Sequence, residues 1–225
     1  MPRTSDVAVS TVRVTTTSGA VSVTAEPGRH SVVADGHPIE VDESTVTIDS
    51  TSTSVHVRVP HGLDLVIGTS SGQVTVRGSA GAVAVLTTSG RVEIDDARSV
   101  DVRTGSGRVT VGRTAGSARV LTTSGRVEIG HSGDADVTTT SGRIVLRDVT
   151  GSTRAHCGSG KIEITMAQAH DVEAETISGR ISISLPEGTR ARIDTPSAGS
   201  VDVAGDHDCV VTARSGSGRV DVVTR

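Results

Sequence analysis

From Val83 onward apolar and polar residues alternate, and the alternation changes phase at regular intervals. Val83, Val85, Thr87 and Ser89 share one parity. After Gly90 the apolar positions are Val92 and Ile94, with Arg91 and Glu93 as the polar ones. Strict alternation argues a half-buried strand, and a one-residue change of phase sends every side chain to the other face. A straight strand cannot make that change, whereas a corner or bulge with glycine at positive φ can. The unit is therefore strand, Ser-Gly corner, strand, and it reads x-V-x-V-x-T-x-S-G-R-V-x-I.

The unit repeats. The corner glycines are Gly72, Gly90, Gly107, Gly125, Gly142, Gly160, Gly179 and Gly218, with Gly199 of Pro196-Ser-Ala-Gly199 filling the gap before the last; the spacings run from 17 to 20 residues. An earlier corner, Ser18-Gly19, lies 53 residues before Gly72, close to three further periods. A superperiod of 35 joins the segment Val85–Ile94 to its copy Val120–Ile129. The chain reads as a single β-strand-repeat domain, 1–225, with degenerate repeats over 1–60 and regular Ser-Gly repeats over 61–225. Such self-similarity is the mark of a repeat architecture.

Two stackings suit the unit. In a parallel β-solenoid, equivalent positions lie above one another about 4.8 Å apart. In an antiparallel meander or propeller-like repeat, each Ser-Gly would be a hairpin tip. Uniform columns favour the solenoid. Thr69, Thr87, Thr104, Thr122, Thr139, Cys157, Thr176 and Ser215 form one column of small residues on the inward parity. Ser71, Ser89, Ser106, Ser124, Ser141, Ser159, Ser178 and Ser217 form another. The period is also short beside a propeller blade of roughly 40 residues. The expected fold is all-β: a right-handed parallel β-solenoid, or β-helix, of about 18 residues per turn, with Thr and Ser ladders inside its corners.

Composition sharpens this reading. The chain holds 36 Val and 30 Thr against 6 Leu, with no Phe, Tyr or Trp. That stock of β-branched residues suits pleated strands and a narrow bore. Formal net charge is -4, so composition gives no bulk attraction to nucleic acid or anionic membrane. No stretch has the roughly 18 apolar residues of a membrane span, and Met1–Val14 lacks the basic and apolar regions of a signal peptide. Two cysteines make no disulfide framework. The expectation is a cytoplasmic protein with reduced thiols, or a cell-surface or envelope protein exported by another route.

The outstanding exposed feature is a column of cations. Arg91, Arg108, Arg126, Arg143, Lys161, Arg180 and Arg219 each follow a corner glycine, so a solenoid stacks them about 4.8 Å apart. Two residues on, Glu93, Glu128 and Glu163 occupy alternate rungs, with Thr110, Val145 and Ser182 between. The column reads as a mixed-charge ladder that limits stacking errors, or as a stripe for a polyanion such as an envelope polymer. Arginine suits bidentate phosphate contact, but base stacking needs aromatic side chains, which argues against specific nucleic-acid binding.

Other candidates are weaker. Cys157 takes a Thr-column position and should be a small buried residue. Asp206-His-Asp-Cys209 has metal-ligating types, but consecutive positions point to opposite faces of a strand, so it reads as an exposed loop and no metal or cofactor is expected. Gly68-Thr-Ser70-Ser-Gly72 matches the nucleophile elbow by letter without the following helix. Ala155–Ile162 lacks the first glycine and the Ser/Thr of a phosphate loop. Thr138-Thr139-Thr140 raises an ice-binding array, but the recurring Thr has inward parity. Sugar-cleaving solenoids present aromatic platforms, which this chain cannot. No catalytic residues are assigned, and the protein is expected not to be an enzyme.

Two segments share a further pattern: Val59-Pro60-His-Gly62 leading to Thr69-Ser-Ser71-Gly72, and Leu185-Pro186-Glu-Gly188 leading to Thr195-Pro-Ser-Ala-Gly199. With the Thr-x-Ser-Gly-x-Val repeats over about 55–225, the chain resembles the bacterial β-strand-repeat family labelled "putative adhesin", a domain of unknown function. The resemblance implies a β-solenoid-like fold and a surface or envelope role, and brings no catalytic residues. Three readings follow. One is a non-enzymatic adhesin-like scaffold or binding module, whose partner is an unknown protein or envelope polymer. The second is a structural protein that polymerises end to end through its open solenoid ends, in the manner of bactofilins. The third is the polyanion stripe.

Overall fold

The structure, a computed structural model, describes residues 3–5, 9–195 and 207–225. The described residues form strands and turns without a helix, in two compact units, Met1–Thr114 and Ala115–Arg225. The first unit holds β1 (Arg3–Ser5), β2 (Thr11–Ser18), β3 (Val21–Glu26), β4 (Val32–Ala34), β5 (Glu40–Asp42), β6 (Thr45–Ser50), β7 (Val55–Pro60) and the long, repeatedly cornered β8 (Asp64–Thr114). The second holds β9 (Ala118–His131), β10 (Ala135–Val149), β11 (Thr153–Met166), β12 (Val172–Leu185), β13 (Ala191–Asp194), β14 (Cys209–Ser217) and β15 (Val220–Thr224).

In the second unit the repeats pair in parallel, residue for residue. β9, β10, β11 and β12 lie side by side with Ser124, Ser141, Ser159 and Ser178 in register, followed by Gly125, Gly142, Gly160 and Gly179. Parallel registration of equivalent positions is the arrangement of a β-solenoid and excludes the antiparallel meander. The strand before the corner buries Ala118, Ala135, Thr153 and Val172 in one column and Val120, Val137, Ala155 and Ala174 in the next. The strand after it buries Val127, Ile144, Ile162 and Ile181, then Ile129, Leu146, Ile164 and Ile183. Each such aliphatic side chain contributes about 1.5–3 kcal/mol by leaving water.

The order of rungs in space departs from the order in sequence at both ends. The rung 11–26 lies between 45–60 and 64–77: β2 pairs with β6 on one side and β8 on the other, and β3 with β7 and β8. The Gly19 corner therefore stacks directly on Gly72. The three intervening periods expected from the 53-residue spacing do not lie between them. Likewise β14 lies between β12 and β13, and Gly218 stacks on Gly179. The rung expected around Gly199 does not separate those two glycines; Gly199 itself lies outside the described residues. The far side of 45–60 is covered by short antiparallel strands, β5 on β6 and β4 on β7, with β1 beyond β4.

The corners explain the sequence signature. Corner glycines hold φ between 116° and 155°, which L side chains rarely adopt. A Cβ on Gly142, Gly160 or Gly179 would also sit 1.8 Å from the carbonyl oxygen of the preceding corner glycine. At six corners the buried Thr donates its hydroxyl to the carbonyl of the Ser two residues on, as in Thr87 to Ser89 at 3.0 Å and Thr139 to Ser141 at 3.1 Å. The Thr column is thus internal, as expected. The Ser column is not: Ser71, Ser106, Ser124, Ser141, Ser159 and Ser178 are exposed. The serine serves the corner through its carbonyl, and the alternation breaks ahead of the glycine: the residue between the Thr and the Ser, Thr140 in β10, drops out of the ladder register.

Candidate functional site

The cation column occupies the outward positions of the strand that follows each corner, where alternation turns residues between the buried valines and isoleucines to solvent. In the second unit Arg126, Arg143, Lys161 and Arg180 stand in direct register, and Arg219 follows beside Arg180, its carbonyl accepting the Ile181 amide at 2.9 Å. Arg91 and Arg108 hold the same place in the first unit, following the stacked corners Gly90 and Gly107.

The column alternates in its partners. Arg126 pairs with Glu128, Lys161 with Glu163, and Arg219 with Asp221 at 2.6 Å. In the first unit Arg91 pairs with Glu93 at 3.6 Å. Each acid lies two residues further along the chain, so the relief runs within a rung. Arg108, Arg143 and Arg180, whose rungs carry Thr110, Val145 and Ser182 there, make no ion pair or side-chain hydrogen bond among the described residues. The field nevertheless spreads between rungs. The Lys161 hydrogen bond, reinforced by Arg143 and Arg126, holds the Glu163 carboxyl below its usual range against its partial burial.

The strand before each corner has a different balance. Arg119 meets Asp136 at 3.0 Å and Arg154 meets Glu173 at 2.7 Å across neighbouring rungs. Arg154 thereby lowers the Glu173 pKa. In the adjacent column His156 Nδ1 lies 3.3 Å from Glu175, which also meets Arg214 at 3.5 Å. On this side the side chains of opposite sign match, while the face after the corners carries five column cations against three acids, with Arg147 unpaired beside them. Asp221 and Arg147 escaped the sequence reading: Asp221 holds the position of Glu93, Glu128 and Glu163 and was legible there, whereas the position of Arg147 carries no recurring charge in the second unit.

The remaining candidates do not assemble a reactive centre. Cys157 is buried, its thiol pointing to the Gly142 carbonyl at 3.8 Å, and burial raises its pKa. Cys209 is buried too, paired across the ladder with Ala191, and burial raises its pKa with help from Asp171 and Asp208. This corrects the exposed loop expected over 206–209: Cys209 opens β14, while His207 and Asp208 are exposed. Asp208 instead fastens the chain turn, accepting the Arg190 amide at 2.9 Å; Asp206 lies outside the described residues. Ser70 and Lys161 both sit on strands, without the helix that a nucleophile elbow or a phosphate loop requires. No cluster among the described residues could hold a metal ion, and those residues include no helix long and apolar enough to cross a membrane. A 480 Å³ open groove around exposed Ile177 is floored by Gly158, Thr138 and Thr140 and edged by His156, Glu175 and Arg214.

Comparison with solved structures finds a likeness of fold to a putative adhesin from Parabacteroides distasonis, with a TM-score of 0.53 and 12% identity, over 100% of this chain and 96% of that one. A putative cell adhesion protein from Clostridium sporogenes aligns over 100% of both chains at 6% identity, with a TM-score of 0.23. No curated protein matches. The family model described as Toastrack DUF4097 matches residues 45–224, which takes in the outermost first-unit rung, all the regular corners and the whole cation column. The stacked Ser-Gly rungs are those of a β-solenoid-like fold, and the chain belongs to the Toastrack DUF4097 family.

Proposed function

We propose that the chain is a non-enzymatic binding scaffold, and that the face following the corners of the second unit receives a polyanion. The observation that carries this reading is the unpaired state of Arg143 and Arg180 in a column whose other second-unit members each hold an acid. A protein of net charge -4 keeps an excess of cations on one strand face. Like charges stacked at rung spacing repel, and the chain carries the remedy in alternate rungs only. Arginine presents its donors in a planar fork, ready for an incoming carboxylate or phosphate.

The covering of the 45–60 rung by β4 and β5 speaks against end-to-end addition there, since covering is how sheets blunt an edge that would otherwise template pairing. We accordingly take a lateral face as the working surface. An envelope polymer as ligand would place the chain at the cell surface, the second of the two compartments considered above.

The test is retention of the protein on immobilised polyphosphate, alginate and hyaluronate across a salt series, detected by refractive index because the chain has no Trp or Tyr. Binding that weakens with salt, and that falls in Arg143→Ala and Arg180→Ala while Arg13→Ala leaves it intact, supports the reading. Absent or salt-insensitive binding overturns it.

A further inference from the structure

Resting on that reading, we infer that the ligand is an acidic polysaccharide whose charge recurs on every second sugar, seated with its carboxylates on Arg143 and Arg180 and its neutral sugars over the paired rungs between and beside them. In register order the column runs paired, free, paired, free, paired: Arg126 with Glu128, Arg143 alone, Lys161 with Glu163, Arg180 alone, Arg219 with Asp221. At about 4.8 Å per rung the free arginines recur roughly every 9.6 Å, close to the length of an extended disaccharide.

The acids between them discriminate. A chain charged at every unit, such as polyphosphate or a uniformly acidic glycan, must set anions against Glu128, Glu163 and Asp221. Like charges in contact are a standard way to reject a wrong partner. A neutral sugar at those rungs instead offers hydroxyls, which the carboxylates accept as hydrogen bonds. Nucleic acid is disfavoured twice over: its phosphates recur about every 3.4 Å along a strand of duplex, and no aromatic side chain exists to stack a base.

A depression of about 240 Å³ lies beside the column, lined by Arg147, Glu163, Thr165, Ser182, Ser184 and Arg225. Hydroxyls, a carboxylate and guanidinium groups converge there without a metal-binding cluster. That donor and acceptor mix suits the edge of a sugar ring. It adjoins both the Lys161–Glu163 rung and, through Ser182, the Arg180 rung.

Calorimetric titration of the full chain with four probes tests this: hyaluronate oligosaccharides, with a carboxylate on every second sugar; oligogalacturonate, with one on every sugar; polyphosphate; and neutral dextran. The expected result is hyaluronate binding about tenfold tighter per charge than either uniform polymer, with dextran silent. Arg180→Gln should lose most of that affinity. Ser182→Glu, which supplies the missing partner for Arg180, should lose it equally at an unchanged melting temperature. Glu163→Gln should shift preference toward the uniform polymers. Equal or tighter binding of oligogalacturonate or polyphosphate by the unaltered protein overturns the alternation and leaves polyanion binding standing. Silence from all the charged probes overturns both.

Discussion

Gly72 packs directly against Gly19: a Cβ at position 72 would fall 2.1 Å from the Gly19 carbonyl oxygen, although 53 residues of sequence separate the two. The rung that comes first in the sequence is thus held between two others, while 45–60 lies outside it. The amides of β2 and β3 should exchange with deuterium more slowly than those of β5, which pairs only with β6. Faster exchange over 11–26 than over 40–42 contradicts this arrangement.

Corner glycines should tolerate no side chain. Gly142→Ala combines a left-handed φ of 140° with a carbonyl oxygen 1.8 Å from the new Cβ, and should cost about 3 kcal/mol or more. Gly188→Ala shares a positive φ, 78°, but meets nothing within 4 Å, and should cost only about 1–2 kcal/mol. Urea midpoints of the two variants decide the matter; equal losses would mean that strain alone, without the stacked carbonyl, sets the demand for glycine.

Two members of the Thr column should respond oppositely to the same change. Thr139→Val removes the hydroxyl that serves the Ser141 carbonyl at 3.1 Å and should destabilise by about 1 kcal/mol. Thr176 is as deeply placed, yet its hydroxyl has no partner. Thr176→Val should therefore leave stability unchanged or raise it, since an unpartnered buried hydroxyl is a cost. Thermal unfolding of both variants reads the contrast directly.

Acid should weaken the ladder from the edge of the ordinary carboxylate range downward. Glu163, Glu173 and Asp208 all titrate lower in the folded chain, held by Lys161, Arg154 and Arg190. Their contribution is complete above the unfolded values, near 4.5 for the glutamates and 3.8 for the aspartate, and disappears as pH falls through the lower folded values. Urea midpoints should be flat from neutrality to about pH 5 and fall below it. Glu163→Gln should flatten part of that fall, and salt should blunt the rest, as befits pairs at the surface.

The sequence announced the solenoid through its columns. Alternation placed Val127 and Ile129 inward and Arg126 and Glu128 outward, and the Thr column predicted the burial of Cys157, because side-chain parity is a local property of extended chain. Three things were not legible. The tucked positions of 11–26 and 209–224 depend on which edge each rung meets, and glycine spacing counts residues along the chain without regard to neighbours in space. The serines turn outward because the alternation already breaks between the buried Thr and the Ser, as at Thr140, before the glycine is reached. Cys209 read as part of a polar loop because the acidic residues before it masked the start of β14. For the candidate face, the column and the alternate acids were visible as letters. The pairing of each acid within its own rung, and the depression beside Glu163, needed side-chain positions.

The tucked first rung also bears on synthesis. A chain leaving the ribosome presents residues 11–26 before either of their neighbours exists. One edge can be satisfied once 45–60 has emerged, and the other only after residue 77. Until then the nascent segment holds an open strand edge rich in valine and threonine, of the kind that invites pairing with another chain. The later rungs of the first unit, in β8, can each close on a predecessor already made. The hazard of misassembly is thereby concentrated in the interval between the emergence of residues 11–26 and that of residue 77.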